Sequence, residues 1–359
     1  MPLYYRIDGT PTDSNRTASA LLRLRKQLQQ EIPAKDASDT LLLATWNIRE
    51  FDSAKYGGRL EESYYYLAEV ISHFDLIAIQ EVREDLKPLQ KLRGLLGSWW
   101  GYLVTDVTAG TSGNRERLAF LFDGRKVRLS GLAGEIVIPP VKKGNKEVAP
   151  AKQLARTPYL CGFKAGWFKL NLSTVHILYG KSKPNDPARV EEIRQMCRFL
   201  AARAKRDAGR EENFIILGDF NIFSRKDATM EQITDAGFQI PTQLQELNGS
   251  NVARDKFYDQ IAFMVNEKML GFAGRAGVFD FYDSVFTASE EATYLPVARR
   301  NQELANPNKK LAAGKWPGKG YRDWRTYQMS DHLPMWVQLK IDFCDEYLER
   351  RAERQTADS

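Results

Sequence analysis

A carboxylate and an amide follow directly after an apolar run in the segment NFIILGDFNIF, residues 213–223. The run at residues 214–217 is too short for a helix and too apolar for a loop, so it predicts a buried strand. Asp219 and Asn221 come next, and because they are two residues apart they lie on one face of an extended chain. Carboxylate and amide oxygens at the end of a core strand can bind a metal ion, so both are candidate site residues.

Polar side chains end several other predicted strands in the same way. Taken singly, a strand-end Asp or Asn is more often a cap or turn former, and a lone histidine on a strand is more often a core residue. Five or six strands that all end in such polar side chains indicate a functional site, because a sheet gathers strand ends at one rim. The residues concerned are Asn47, Arg49, Glu81, Arg83, His176, Asp259, Asp331 and His332.

This set of side chains suits the hydrolysis of a phosphodiester or a phosphomonoester. Carboxylate and amide oxygens are hard ligands that bind Mg²⁺ or Mn²⁺, and the sequence has no Cys/His set for zinc. A histidine with a pKa near about 6.5 can move a proton at neutral pH when a carboxylate orients it. The chain has only three histidines, His73, His176 and His332, and two of them belong to the set.

Composition indicates an ordinary globular protein with a substantial core. The 359 residues are 43% hydrophobic, and no apolar run approaches the ~20 residues needed to span a bilayer. The N-terminus lacks the pattern of a secretory signal, so a cytoplasmic location is expected. Cys161, Cys197 and Cys344 have no metal-binding spacing and are expected to be core thiols. A net charge of +6 favours a polyanionic partner only weakly.

The elements that must position these residues alternate along the chain from residue 41 onward. Short apolar runs predict strands, and amphipathic segments at residues 60–73, 85–96 and 187–208 predict helices between several of them. Such a mixture implies packed sheets with helices outside. Ahead of it, residues 14–31 predict a helix that begins with a Ser14 cap.

A basic insertion, residues 299–325, leads directly into Asp331. It carries eight lysines and arginines against two acidic residues. A solvated loop is the ordinary interpretation of such a charge run, but its position favours contact with the substrate. We expect Arg322 and Arg325 to reach phosphates beside the reacting one. We also expect the aromatic rings of the insertion to stack on unpaired bases; the alternative is that they pin it to the sheet. These rings are Trp316, Tyr321 and Trp324.

Seven motifs occur in the order found in a known superfamily. They are TWNIREFD, IQEVRED, RERLAFLF, STVHIL, LGDFNIF, FYDQIAF and SDHLPMW. Over residues 41–342 the chain resembles the endonuclease/exonuclease/phosphatase superfamily, and within it the deoxyribonuclease I group. Beyond the motifs shared by the whole superfamily, the match includes Arg49, Arg83, the pair Glu116-Arg117, and Arg156 in ARTP.

The resemblance implies a fold class and a division of the chain. The fold would be α/β, a four-layered α/β sandwich in which two packed β-sheets are flanked by helices. Residues 41–342 would form the endonuclease/exonuclease/phosphatase domain and include the basic insertion. Residues 1–40 would form an N-terminal helical extension, open to an unknown partner, and residues 343–359 a C-terminal helix or tail.

The resemblance also implies roles for the site residues. Asn47 and Glu81 would hold the divalent metal ion, with Asp331 close by. Asp219 and Asn221 would position the attacked phosphate and the nucleophilic water.

Two further pairs would supply proton transfer. His332 oriented by Asp259, and His176 oriented by Glu116, would stand across the scissile phosphate from each other. One would take a proton from water while the other protonates the leaving oxygen. Three arginines would hold backbone phosphates with a bidentate geometry that lysine cannot supply. They are Arg49, Arg83 and Arg156.

The expected function is that of a metal-dependent phosphodiester hydrolase. The leading hypothesis is a nuclease of low sequence specificity that cuts DNA, with RNA left open, and uses Mg²⁺ or Mn²⁺. The alternative is a phosphatase or phosphodiesterase that acts on a phospholipid, a phosphoinositide or a nucleotide, since the same core serves those substrates. A third hypothesis, an inactive scaffold that binds a partner through residues 1–40, is disfavoured by the complete set of site residues.

Overall fold

The computed structural model describes residues 2–4, 7, 9–108, 114–144, 146–149, 153–207, 213–264, 271–308 and 311–357. Its helices are α1 Pro11–Glu31, α2 Glu61–Ser72, α3 Lys87–Leu96, α4 Pro187–Asp207, α5 Ala228–Asp235, α6 Thr242–Gln245, α7 Glu291–Ala305, α8 Tyr321–Gln328 and α9 Cys344–Ala357. Its strands are β1 Thr40–Phe51, β2 Leu76–Val82, β3 Trp100–Val104, β4 Arg117–Asp123, β5 Arg128–Glu135, β6 Val141–Lys143, β7 Lys146–Ala149, β8 Tyr159–Ala165, β9 Phe168–His176, β10 Asn213–Asp219, β11 Asp259–Met264, β12 Gly271–Val278 and β13 Met335–Lys340.

The first sheet has six strands in the order β12-β13-β1-β2-β4-β3. Its central strand β1 pairs in parallel with β2 and antiparallel with β13. Residues 41–48 of β1 are all buried, which explains why this strand is almost continuously apolar instead of alternating.

The second sheet has five strands in the order β11-β10-β9-β8-β5. Its strand β10 is the apolar run predicted at residues 214–217, and all seven of its residues are buried. Gly218 has a φ of 138°, and a Cβ atom there would lie 2.1 Å from the carbonyl oxygen of Val175 on β9. Glycine is therefore required for β10 to approach β9 this closely just before Asp219.

The two sheets pack face to face around one hydrophobic core. Strands β1 and β2 of the first sheet contact β10 and β9 of the second. Helices flank both sheets; α3 lies against β3, while α4 and α5 pack on each other. The expected four-layered α/β sandwich, deoxyribonuclease I-like in form, is confirmed.

The predicted helices at residues 60–73, 85–96 and 187–208 correspond to α2, α3 and α4 within two residues at each end. Residue 208 itself lies outside the described residues. The Ser14 cap was wrong, because α1 already begins at Pro11 and the Thr10 side chain accepts from the backbone of Asp13. Proline fits the first turn of a helix, so the Thr-Pro pair starts this helix earlier than the serine would.

Helix α1 packs on the body of the protein instead of extending from it. Leu24 and Leu28 are fully buried. Arg16 pairs with Glu62 on α2 at 2.7 Å. The boundary at residue 40 stays a prediction, as does the one at residue 343, although a helix, α9, does follow there.

The basic insertion folds as the end of α7, a turn region and the start of α8. Lys309 and Lys310 lie outside the described residues. Trp324 is fully buried and Tyr321 is 4% exposed, and the Trp316 ring packs 5.5 Å from the Trp324 ring. The expectation that Tyr321 and Trp324 stack on bases was therefore wrong, because both rings already pin the insertion to its neighbours.

Two further expectations concern cysteines and membranes. Cys161 and Cys197 are buried thiols as expected, whereas Cys344 is only half-buried. Across the described ranges, no helix combines the length and the apolar character needed to cross a bilayer.

Candidate active site

Three of the predicted site residues stand side by side at one end of the second sheet. Asp219, the last residue of β10, pairs in register with His176 on β9 and with Asp259 on β11. Adjacent strands lie ~4.8 Å apart, so the register brings a histidine and two carboxylates together. All three side chains are buried.

His332 approaches this row from the segment that precedes β13. Its Nδ1 lies 2.8 Å from Oδ2 of Asp259, and its Nε2 lies 3.7 Å from Oδ2 of Asp219. The indole of Trp46 donates to the His332 carbonyl oxygen at 2.9 Å and fixes the backbone. Burial lowers the pKa of His332, but the carboxylates of Asp259 and Asp219 outweigh burial and raise this pKa well above its usual range.

His176 forms the second histidine–carboxylate pair. Its Nδ1 lies 3.0 Å from Oε2 of Glu116, and its Nε2 lies 3.5 Å from Oδ2 of Asp219. The same Glu116 oxygen accepts from Nε of Arg156 at 2.6 Å. Burial alone would raise the pKa of Glu116, but His176 and Arg156 lower it to about 2. Each histidine thus lies beside its predicted carboxylate, and both turn Nε2 toward Asp219, whereas their part in proton transfer stays a prediction.

The first sheet delivers Asn47 and Glu81 to the same place. Nδ2 of Asn47 donates to Oε1 of Glu81 at 2.9 Å and to Oδ2 of Asp219 at 3.0 Å, which joins the two sheets. Glu81 has a φ of 62°, at a point where β2 leaves its regular pairing with β4. Its Oε2 accepts from the backbone of Glu50 at 2.7 Å.

Asn221 is held by its own backbone conformation. Its φ of 52° lies in the left-handed region, which asparagine enters more readily than most residues. Its backbone N donates to Oδ1 of Asp219 and its Nδ2 donates to the Ile177 carbonyl oxygen, both at 2.8 Å. Asn221 therefore fixes Asp219 and leaves its own amide oxygen outside these contacts.

Two of the predicted phosphate-binding arginines are partly exposed. Arg49, at 23% side-chain exposure, lies 3.5 Å from Asp323 and 3.5 Å from Asp331. Arg83, at 29%, lies 3.1 Å from Glu50.

The third arginine differs from the other two. Arg156 is only 6% exposed and is paired with Glu116, and its buried Nη1 has no hydrogen-bond partner among the described residues. Its contact with phosphate stays a prediction, while its contact with Glu116 is a feature of the fold.

The family of the chain follows from comparison with known proteins. The model of the Endonuclease/Exonuclease/phosphatase family matches residues 44–232, more than half of the chain. The chain belongs to this family. Its members are hydrolases that act on phosphoester bonds, the enzyme class expected from the sequence.

One curated relative has low sequence identity to this chain. A deoxyribonuclease from Thioalkalivibrio sp. (strain K90mix) is 27% identical over 212 residues, which make up 57% of this chain and 53% of that protein. The chain thus spans about half the length of the curated relative it matches.

Solved structures of the family share the fold. A mannosyl-6-phosphatase from Bacteroides thetaiotaomicron VPI-5482 gives a TM-score of 0.52 at 16% identity, covering 83% of this chain and 99% of that one. An endonuclease/exonuclease/phosphatase family protein from Bacteroides thetaiotaomicron gives a TM-score of 0.51 at 18% identity. The match covers 85% of this chain and 98% of that one. At such identities the likeness shows the fold alone.

The site of this family member fits a divalent metal ion. Oδ1 of Asn47 is buried and finds no hydrogen-bond partner within the described ranges, a rare state that a cation would relieve. Ligand atoms of Glu81, Glu116 and His176 lie within 4.8 Å of one another. Burial raises the pKa of Glu81; His176 lowers this pKa, but the carboxylates of Glu116 and Asp331 raise it further, so a cation beside these acids would stabilise their charged forms.

The predicted ligands and this cluster overlap only in part. Asn47 and Glu81 are in contact, but Asp331 is 43% exposed and contacts Arg49. Glu116 and His176, predicted only as a proton-transfer pair, also lie beside Glu81.

Ser330 lies at the candidate site and was not predicted from the sequence. Its Oγ donates to the Asn47 carbonyl oxygen at 2.6 Å and accepts from the backbone N atoms of Arg49 and His332, each at 3.1 Å. This buried hydroxyl therefore ties the end of β1 to the histidine segment. Its position in the SDH motif was the available signal.

Proposed function

We propose that this chain is a metal-dependent phosphodiester hydrolase that cuts DNA with little sequence preference. The observation that supports the proposal most is the convergence of two histidine–carboxylate pairs on one carboxylate. Nε2 of His176 and Nε2 of His332 lie 3.5 Å and 3.7 Å from the same oxygen of Asp219. Two oriented imidazoles that face one carboxylate suit a reaction that removes one proton and supplies another.

In the proposed reaction, the carboxylates fix the histidines. Asp259 and Glu116 each face the Nδ1 of a histidine, so each imidazole presents Nε2 to the reacting atoms. One imidazole takes the proton of the attacking water, and the other gives a proton to the leaving oxygen. Asp219 and Asn221 position the water and the phosphate between them.

Asn47 and Glu81 are the residues proposed to hold Mg²⁺ or Mn²⁺, with Asp331 nearby. When bound, such a cation stabilises negative charge on the phosphate as a Lewis acid. The oxygen-rich ligand set favours these hard metals over zinc. Arg49 and Arg83 are proposed to contact backbone phosphates, because both are partly exposed at the same rim, and Arg156 is proposed to do so more weakly from its buried position.

DNA is proposed as the substrate for two reasons. The Thioalkalivibrio relative is named a deoxyribonuclease, and the chain carries a net charge of +6. RNA stays open as a further substrate. We also propose a cytoplasmic location, domain boundaries at residues 40 and 343, and an unknown partner for residues 1–40.

One panel of substrates tests the proposal. Purified protein is incubated with supercoiled plasmid, single-stranded DNA, RNA and a set of phosphoinositides, each with Mg²⁺, Mn²⁺ or EDTA. A His176→Ala/His332→Ala double variant, purified identically, controls for contaminating nucleases. Metal-dependent cleavage of DNA by the wild type alone supports the proposal. Release of phosphate from phosphoinositides or nucleotides, with intact DNA, would favour the phosphatase alternative.

A further inference from the structure

A groove lies beside the candidate active site, between α8 and the turn at residues 251–254. Its volume is about 640 Å³, within the ~300–1,000 Å³ of small-molecule sites. Arg49, Arg322 and Arg325 line it together with Asp323 and Glu291. The basic insertion supplies the first five residues of α8, Tyr321 to Arg325, so this groove depends on a segment outside the motifs shared with the superfamily.

Hydrogen bonds and packing connect the groove rigidly to the candidate active site. The backbone of Val252 donates to the Asp331 carbonyl oxygen at 3.1 Å, and residue 251 forms a β-bridge with His332. On the other wall, Trp324 anchors α8 by its complete burial, and the Tyr282 hydroxyl donates to the Ser330 carbonyl oxygen at 2.8 Å. A ligand in the groove would therefore keep a fixed distance from the two histidines.

The charges of the groove are not equally available. Arg49 is held between Asp323 and Asp331, and Asp323 also accepts from the Tyr56 hydroxyl at 2.6 Å. Arg325 donates to the Phe286 carbonyl oxygen at 3.0 Å.

Arg322 differs from these residues because it is exposed. Within the part of the chain that the structure describes, no acidic partner is found for it. Arg322 is thus the cation that an incoming anion can pair with at the lowest cost.

We propose that this groove binds a second backbone phosphate of the polynucleotide substrate, next to the scissile one, with Arg322 as its main ligand. This inference rests on the proposed function and names the feature that would make a polynucleotide a better substrate than a small ester. A polynucleotide carries a phosphate on every nucleotide, so a cation rigidly attached to the site can hold a neighbouring one. Glu291, on the groove wall, opposes such binding by charge repulsion.

Binding without cleavage tests the groove separately from catalysis. Labelled single-stranded and duplex oligonucleotides are titrated with protein in EDTA over a salt series. Loss of one phosphate contact flattens the slope of log K against log salt by ~0.9 for a duplex and ~0.7 for a single strand. Between 1 M and 0.1 M salt, that slope change amounts to a loss of about eightfold and about fivefold respectively. We expect this change for Arg322→Ala.

Two matched variants complete the test. Arg300→Ala removes the same charge from an exposed position in the same insertion, outside the groove, and should leave the slope unchanged. Glu291→Gln removes the repulsion and should tighten binding at low salt. The inference would be overturned if Arg322→Ala and Arg300→Ala changed the salt slope equally. It would also be overturned if neither Arg322→Ala nor Glu291→Gln changed oligonucleotide binding.

The outcomes also separate the groove from the proposed function. A protein that binds oligonucleotides with the expected slopes but never cuts them supports the groove and contradicts the nuclease proposal. If the wild type cuts DNA and Arg322→Ala binds oligonucleotides as the wild type does, the nuclease proposal is supported and the groove proposal is contradicted. If the wild-type protein binds no nucleic acid, the proposal that the groove binds a phosphate is wrong. Metal-dependent hydrolysis of another phosphoester by that protein would still agree with a phosphoester hydrolase.

Discussion

The contact between His332 and Asp259 offers a direct test of the proposed chemistry. Oδ2 of Asp259 lies 2.8 Å from Nδ1 of His332, and both side chains are buried. Asp259→Asn keeps the shape of the side chain but removes its negative charge. It also replaces a group that only accepts hydrogen bonds by an amide that can donate to Nδ1. The His332 tautomer with its proton on Nδ1, which leaves Nε2 free to accept a proton, is then no longer favoured.

The size of the effect can be estimated from this geometry. A hydrogen bond to a charged group contributes ~1.5–3 kcal/mol, and loss of an oriented acid or base lowers a rate by ~10²–10⁴-fold. We therefore expect turnover to fall by about 10³-fold, which is about 4 kcal/mol of activation free energy.

The pH dependence should change in a defined direction. Asp259 raises the pKa of His332 against the effect of burial, so the pKa falls when the carboxylate is lost. The limb of the pH–rate profile that belongs to His332 then moves to lower pH, whether this histidine acts as the acid or as the base.

The assay compares plasmid nicking by wild type and variant over a range of pH, with the folded fraction measured by circular dichroism. Asp75→Asn is the matched control, because Asp75 is also fully buried and pairs with Lys126 at 2.9 Å, away from the candidate site. That variant should lose stability but keep its turnover per folded molecule. Wild-type turnover and an unshifted pH profile for Asp259→Asn, as in this control, would refute the proposed role of Asp259.

Three further predictions concern the metal, pH stability and the insertion. Glu81→Ala should abolish calorimetric binding of Mn²⁺ as well as hydrolysis, because the site loses its main carboxylate; full wild-type activity in EDTA would contradict the metal proposal. Burial lowers the folded-state pKa of His73 from 6.5 to about 4. His73 therefore contributes stability that is present above pH 6.5 and lost as pH falls toward 4, by at most about 3 kcal/mol, and urea unfolding should show a flatter pH dependence for His73→Gln. Trp324→Ala should lower the free energy of unfolding by ~3–5 kcal/mol; a variant of normal stability with weakened DNA binding would instead indicate base stacking.

Much of the candidate site could be predicted because it lies on the ends of strands. The alternation of apolar runs and amphipathic helices is enough to place β10, and the strand end then places Asp219. His176 and Asp259 could be expected nearby because sheets gather strand ends at one rim. Local pattern and the general geometry of sheets carry this part of the prediction.

Partners across long sequence separations could not be predicted from pattern. Asp259 and His332 are 73 residues apart, and Glu116 and Arg156 are 40 apart. Their pairing depends on the registers of several strands, which no local feature determines. The superfamily resemblance supplied both dyads, but the burial of Arg156 emerges only from the packed structure.

Composition also failed to show which way side chains face. The mixture of basic and aromatic residues in the insertion is compatible with a nucleic-acid clamp and with a pinned loop alike. Trp324 is buried because helix α8 turns one face toward Phe286 and Tyr294. The helix period could have suggested such a face, since Tyr321 and Trp324 are three residues apart and lie on the same side.

The position of Asp219 shows how packing of the two sheets sets the spacing of the proposed machinery. Asn47 holds Asp219 with one hydrogen bond and Glu81 with another, so a candidate metal ligand from the first sheet is tied to the carboxylate between the two histidines. Any shift of one sheet against the other would change the distance from the metal ligands to both imidazoles at once. Because the sheets meet in a close-packed core, such a shift is costly. The distance between the candidate metal ligands and the two imidazoles is therefore set by the core of the sandwich and not by its loops.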